Sequence, residues 1–240
     1  MKNKQKLKTL YQKIYGEHSA FDVSLSELFA LMDRAKEARS AELIKMDQSE
    51  SEWYFSHQMI GMTLYVDLIA GSFVELLQKI DYFKELGITY LHLMPLLKPR
   101  EGENDGGYAV EDYRNVDPNL GTLKEFRQLL QEYNSKGIKI CIDYVVNHVA
   151  KEHEWAKLAL DGNQQYQDMF IMFDDASIPN LYNQTVPEVL PDKCPGNFTY
   201  YPSIKKHVFT SFSEFQWDLT RMSCPRREGR PGKEWARAIF

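Results

Sequence analysis

Lys139-Ile140-Cys141-Ile142-Asp143-Tyr144-Val145-Val146-Asn147-His148 is the stretch on which the fold turns. It opens in β-branched and apolar residues and closes in Asp, Asn and His. An apolar run of this length, after a helical pattern and Gly137, reads as a buried parallel strand. Polar side chains where such a strand stops mark a site at its carboxyl end, where parallel sheets and barrels place their chemistry.

Upstream, the same rhythm repeats. Thr122 should cap a helix carrying Leu123, Phe126, Leu129, Leu130 and Tyr133, which Gly137 stops. Residues 88–94 read as a strand closed by Pro95, and residues 59–67 as another. Between them, residues 72–86 predict one helix with Phe73, Leu76, Leu77, Ile80 and Phe83 on its apolar face. Strand, helix, strand, loop, helix, strand is the order of a parallel α/β sheet, open or closed into a barrel. Three strands cannot close a barrel of eight, which predicts an exposed edge and an uncovered apolar face.

Residues 1–50 predict two helices, one with Leu7, Leu10, Tyr11 and Ile14 on a face and one running from Asp22 or Ser24 to Met46. After His148 the alternation stops. A short helix near His153–Leu160 precedes Pro, Gly, Asn and Tyr in irregular order, and residues 207–210 suggest a strand. So long an excursion after one strand reads as an inserted subdomain.

The composition is that of a globular chain: 240 residues, 43% hydrophobic, 26% charged, net charge -5. The acidic balance argues against nucleic acid as a partner. No stretch approaches the ~20 apolar residues of a membrane span, and no apolar core follows the basic start, so a soluble cytoplasmic protein is expected. Cys141, Cys194 and Cys224 lack metal-site spacing. The glycosylation sequons at Asn183 and Asn197 are treated as chance matches.

Three loops follow the three strands on one face. The first offers Asp67, the second Asp105, Tyr108 and Arg114, the third Asp143, Asn147 and His148. Carboxylates accept from hydroxyls, His donates through a ring nitrogen and Tyr offers a face for a ring, which together suit a polyhydroxylated ligand. Each has a plainer reading. Asp143 can be a cap, Arg114 a salt-bridge partner, and His148 with His153 is too loosely spaced for a metal pair.

Asp143-Tyr144-Val145-Val146-Asn147-His148 resembles the first conserved region of the α-amylase family, glycoside hydrolase family 13. Residues 82–102, Asn104-Asp105-Gly106-Gly107-Tyr108-Ala109-Val110, Tyr113-Arg114, Asn119-Leu120-Gly121-Thr122, Glu152-His153-Glu154-Trp155-Ala156, Phe212 and Phe215-Gln216-Trp217-Asp218-Leu219 are similar to its amylosucrase branch. The resemblance implies an α/β fold, a partial (β/α)8 TIM barrel. Residues 1–52 would be a helical N-terminal region, 53–148 the first three barrel strands and 149–219 an inserted B subdomain. It implies retaining double displacement on sucrose or an α-glucan, with no cofactor and no metal. Asp105, Tyr108, His148, Phe212 and Gln216 would bind the glucosyl ring, while Asp143, Asn147 and Arg114 would shape the site.

The resemblance stops at Thr220. Residues 220–240 hold six Arg or Lys against two Glu and lack apolar periodicity. The family's nucleophile and acid belong to later strands, so no catalytic carboxylate is expected here. A frameshifted or chimeric tail and a chain inactive on sucrose are the corresponding expectations. The competing readings are a non-catalytic sugar-binding remnant, a partner of a separately encoded second half, and an open-sheet nucleotide-binding domain. The last lacks the glycine fingerprint.

Overall fold

The computed structural model describes residues 2–16, 20–49, 52–192 and 195–219. The tail, residues 220–240, lies outside the described residues, as do Cys194 and Cys224.

The chain begins with α1 (Lys2–Tyr15), α2 (Phe21–Glu37) and α3 (Ala41–Ser49). The single helix expected up to Met46 is broken between α2 and α3. Ser40 restarts the helix, its Oγ accepting from the Leu43 N–H at 3.3 Å.

Next come β1 (Gly61–Leu64), α4 (Val66–Ile69), α5 (Phe73–Leu77), α6 (Ile80–Glu85), β2 (Tyr90–Leu93), β3 (Leu97–Pro99), β4 (Val110–Val116), α7 (Leu123–Ser135) and β5 (Lys139–Ile142). β1, β2 and β5 form a parallel sheet in that order, and β3 pairs antiparallel with β4. The helix expected over 72–86 is two short ones. Gln78 and Lys79 bond back to Glu75 and Leu76 across three residues, a tighter turn between α5 and α6.

Local chemistry sets the boundaries. Thr122 and Glu125 cap each other's backbone N–H at the start of α7. Both helices that feed a strand end alike. Gly87 and Gly137 take positive φ, and Ile88 and Ile138 then donate to Phe83 and Tyr133 carbonyls at 2.9 and 3.0 Å. The two Ile side chains enter the same core.

Strand register assigns the sheet's faces. Leu64, Leu91 and Leu93 are buried with Phe73, Leu76, Phe83, Leu129 and Tyr133 beneath the helices, and Met62, Ile140 and Ile142 pack beside them. The opposite face carries Gly61, Thr63, Tyr90, His92, Lys139 and Cys141, none of them buried. This corrects the expectation of an uncovered apolar face: the open face is polar and aromatic. Trp53 shields part of it, 5.7 Å from the Tyr90 ring and 5.2 Å from Lys139 Nζ.

The remaining elements are β6 (His148–Ala150), α8 (Glu154–Leu160), α9 (Gln164–Gln167), β7 (Met172–Phe173), α10 (Ser177–Thr185), β8 (Phe198–Tyr201), β9 (Lys206–Phe209) and β10 (Gln216–Asp218). β6 pairs antiparallel with β10, and β7-β9-β8 forms a second antiparallel sheet. A separate core gathers Val149, Trp155, Met169, Phe170, Val208 and Trp217. The quoted stretch is therefore not one strand. It leaves the parallel sheet at Ile142 and enters a new sheet at His148. Among the described residues no helix is long and apolar enough to cross a membrane.

Candidate functional site

The link from β3 to β4 makes the first half of the site. Asp105, Gly106 and Gly107 take positive φ in succession, at 55, 65 and 91 degrees. Asn104 Oδ1 accepts the Gly107 N–H at 3.0 Å and holds this turn closed. A Cβ on Gly107 would lie 3.0 Å from both the Cβ and the carbonyl oxygen of Pro95, so only glycine fits. Asp105 has no such freedom, and its left-handed backbone is local strain of ~1–3 kcal/mol held by the turn.

Tyr108 follows. Its hydroxyl donates to Asp143 Oδ2 at 3.2 Å, while His92 Nε2 lies 3.1 Å from Oδ1. Burial, then the Asp143 charge, pushes the Tyr108 hydroxyl up to about 12, so it stays a donor across the physiological range.

His148, 4% exposed, forms the second half. Its Nε2 lies 3.2 Å from the Tyr108 carbonyl and its Nδ1 3.3 Å from Asn147 Nδ2. A neutral ring protonated on Nε2 satisfies both, an assignment made from these partners. Burial holds His148 below the usual imidazole value, against the opposing pull of the Tyr108 carbonyl and Asp105. Gln216, fully buried, receives Ser213 Oγ on its carbonyl at 2.8 Å and donates through Nε2 to Asp105 Oδ2 at 3.2 Å. That Nε2 also lies 3.2 Å from His148 Nε2. The Phe212 ring sits 5.0 Å from the imidazole.

Asp105, Tyr108, His148, Phe212, Gln216 and Asp143 thus meet in one cluster. Asn147 joins from its edge and ties the cluster to the β6–β10 sheet. Its Nδ2 donates to Asp218 Oδ1 at 2.6 Å. Asp218, 3% exposed, also accepts from Ser211 N at 2.7 Å and Ser211 Oγ at 3.0 Å. Burial raises the Asp218 carboxyl above its ordinary value, and the Ser211 and Asn147 bonds work against that rise. These three donors fix the orientation of the carboxylate. No group of three or more His, Cys, Asp or Glu among the described residues could hold a metal.

Two sequence candidates do not join. Asp67 is exposed on α4, where its carbonyl takes the Gly71 N–H. Arg114 is exposed on β4 and lines a separate cavity with Lys98 and His153. Sequence reading passed over His92, Ser211 and Asp218. His92 was reachable: strand alternation puts it opposite Leu91 and Leu93, and it pairs in register with Cys141, two residues before Asp143. Ser211 and Asp218 meet through a turn that no periodicity announces.

The cluster offers hydroxyl acceptors at Asp105 and Asp143, donors at His148, Gln216 and Tyr108, and rings at Tyr108 and Phe212. That set can hold a polyhydroxylated ring by its hydroxyl groups and one face.

A model of the alpha-amylase catalytic domain matches residues 17–220. Maltase 1 of Drosophila virilis is 36% identical over 104 residues, 43% of this chain and 16% of that protein. Oligo-1,6-glucosidase of Parageobacillus thermoglucosidasius is 34% identical over 102 residues, 42% of this chain and 18% of that protein. A crystal structure of a MutB variant in complex with the substrate sucrose is similar at a TM-score of 0.60 and 26% identity, covering 68% of this chain and 30% of that one. Each match takes in less than a third of the known protein.

Proposed function

The chain belongs to the α-amylase family through its catalytic domain, and on that premise we propose that it is the N-terminal part of an amylosucrase-like enzyme. In this reading the enzyme transfers or hydrolyses the glucosyl group of sucrose or a related α-glucoside with retention. The observation that carries the reading is the convergence of Asp105, Tyr108, His148, Phe212 and Gln216 from three separate segments of the chain. In the unliganded chain these groups bond to one another, and glucosyl hydroxyls would replace those bonds.

Each residue then has a task. The Tyr108 ring lies under the sugar, and its hydroxyl stays on Asp143. His148, neutral and buried, presents Nε2–H to a hydroxyl. Asp105, oriented by Gln216, accepts from another. These contacts strengthen as the ring flattens and gains positive charge, so they favour the transition state over bound substrate. Residues 149–219 act as the B subdomain that supplies Phe212 and Gln216. In the family mechanism one carboxylate attacks the anomeric carbon and a carboxylic acid protonates the leaving oxygen. The reading gives neither role to Asp105 or Asp143, because both carboxylates are engaged in positioning bonds.

That engagement also favours a second reading, a chain that binds sugar without cleaving it. One experiment addresses both: titrate the 240-residue chain with sucrose by saturation-transfer NMR and assay glucose release in parallel. The expected result is binding weakened about tenfold by His148→Ala, one neutral hydrogen bond's worth, and no glucose above blank. Equal binding by wild type, His148→Ala and Tyr108→Phe would sink the assignment of the pocket. Glucose release would remove the second reading.

A further inference from the structure

Between the β3–β4 ribbon and the start of α8 lies a cavity of about 400 Å³, outside the cluster around His148. That is within the ~300–1,000 Å³ usual for ligand sites. Among the residues that line it is His153, only 6% exposed. His153 Nδ1 accepts the Trp155 N–H at 3.2 Å, capping α8, so the neutral ring carries its proton on Nε2. No described residue accepts from that Nε2–H. The imidazole is held edge-on between Trp155, 4.8 Å away at 71 degrees, and Tyr113, 5.7 Å away at 70 degrees. A fixed donor in a buried ring without an acceptor is what a ligand oxygen would complete.

The rim identifies the ligand's charge. Three cations reach the cavity, Lys98, Arg114 and Lys157, against the carboxylates of Glu111, Asp112, Glu152 and Glu154. Most are spent. Glu111 lies 3.4 Å from Lys98 and 3.9 Å from Lys157, Glu152 is bidentate to Arg100 at 2.9 Å, and Asp112 takes the Arg114 N–H and the Asn115 amide. A phosphate would face four carboxylates, and a metal cation three basic groups. A neutral ligand with many hydroxyls meets neither penalty and can use both signs. The guanidinium of Arg114 and the carboxylate of Glu154 are exposed at the rim with no side-chain partner among the described residues.

We propose that this cavity is a second carbohydrate site, taking one or two neutral sugar units with His153 Nε2–H as its inner donor and Arg114 at its mouth. It shares no residue with the His148 cluster and does not depend on that cluster's assignment.

The test is ¹⁵N NMR of the imidazole nitrogens of the full chain, titrated with maltose and separately with methyl α-glucoside. A saturable shift of His153 Nε2 is expected, retained in His148→Ala and weakened about tenfold by Arg114→Ala, which removes an exposed charged donor without touching a core. Leu158→Trp, which fills the cavity wall, should abolish it. His153 signals that stay still while His148 signals move would overturn the proposal and leave the first site standing. A response to inorganic phosphate or to magnesium with none to either sugar would overturn it as well. If His148 stays still and His153 shifts, the second site stands and the first fails.

Discussion

The sheet of β1, β2 and β5 and the antiparallel segment beginning at β6 build their interiors from different residues. Beneath the sheet the buried side chains are Leu, Val, Ile, Phe and one Tyr, whose hydroxyl donates to the Leu76 carbonyl. Among the described residues every buried polar or charged side chain falls at His148 or later: His148, His153, Gln167, Asn197, Thr210, Ser211, Gln216 and Asp218. The first region rests on transfer of apolar surface, which is non-directional. The second adds to an apolar core of its own a set of bonds that must each find a partner, and a partner lost there costs desolvation without return. The candidate site sits where the two meet, with strand ends giving it position and the polar network giving it orientation.

The difference can be strained from either side. Phe83→Ala beneath the sheet should cost ~3–5 kcal/mol, the transfer term plus a cavity, read by urea unfolding. A loss under 1 kcal/mol would mean that the described core is not the one holding the sheet.

Acid should act on the other region. Burial holds His153 down from 6.5 to about 4, and holds His148 below its ordinary value in the same direction. Above 6.5 both are neutral folded and unfolded, so that contribution is fully present. As pH falls toward 4, the unfolded chain takes protons that the folded chain refuses, and stability is lost. For His153 the loss between pH 7 and 4.5 is about 2–3 kcal/mol. Asp218, raised by burial, works with the opposite sign, so the informative quantity is the difference in slope between wild type and His153→Gln. Identical slopes would show that His153 is not buried neutral.

Asp218→Ala should strand the donors of Ser211 and Asn147 at a cost of ~1–3 kcal/mol. Hydrogen exchange should quicken in β6 and β10 and stay slow in β2. Uniform quickening would show one cooperative unit where two cores are drawn. Thr122→Ala removes one half of the α7 capping box and should cost ~1 kcal/mol, seen as a small shift in the urea midpoint. No shift would mean that α7 is held by its buried face alone.

How much of this was legible follows the same division. The Gly87-Ile88 and Gly137-Ile138 stops, the Thr122 cap and the alternation of β2 are short-range patterns, and they place Asp143 at a strand end. Asp105, Tyr108, Asp143, Asn147 and His148 were legible as side chains of the loops after the strands, whereas Phe212 and Gln216 were named only through resemblance, since nothing in the spacing of His148 and Gln216 ties them together. Arg114 lies apart from that cluster, on the wall of a separate cavity. Its place on β4 depends on the hairpin's register, which shifts twice between Leu97 and Pro99, and a shift in pairing changes which way a side chain faces.

For this protein, the sequence alone determined the order of β1, β2, α7 and β5, the Thr122 cap and the stops at Gly87 and Gly137, because each is set by residues within one or two turns. Tertiary structure decided that Ile142 and His148 belong to different sheets, that the sheet's open face is polar, and that Asn147, Ser211 and Asp218 lock together. Those outcomes depend on partners up to 71 residues apart. A local pattern cannot encode which distant donor will satisfy a buried acceptor.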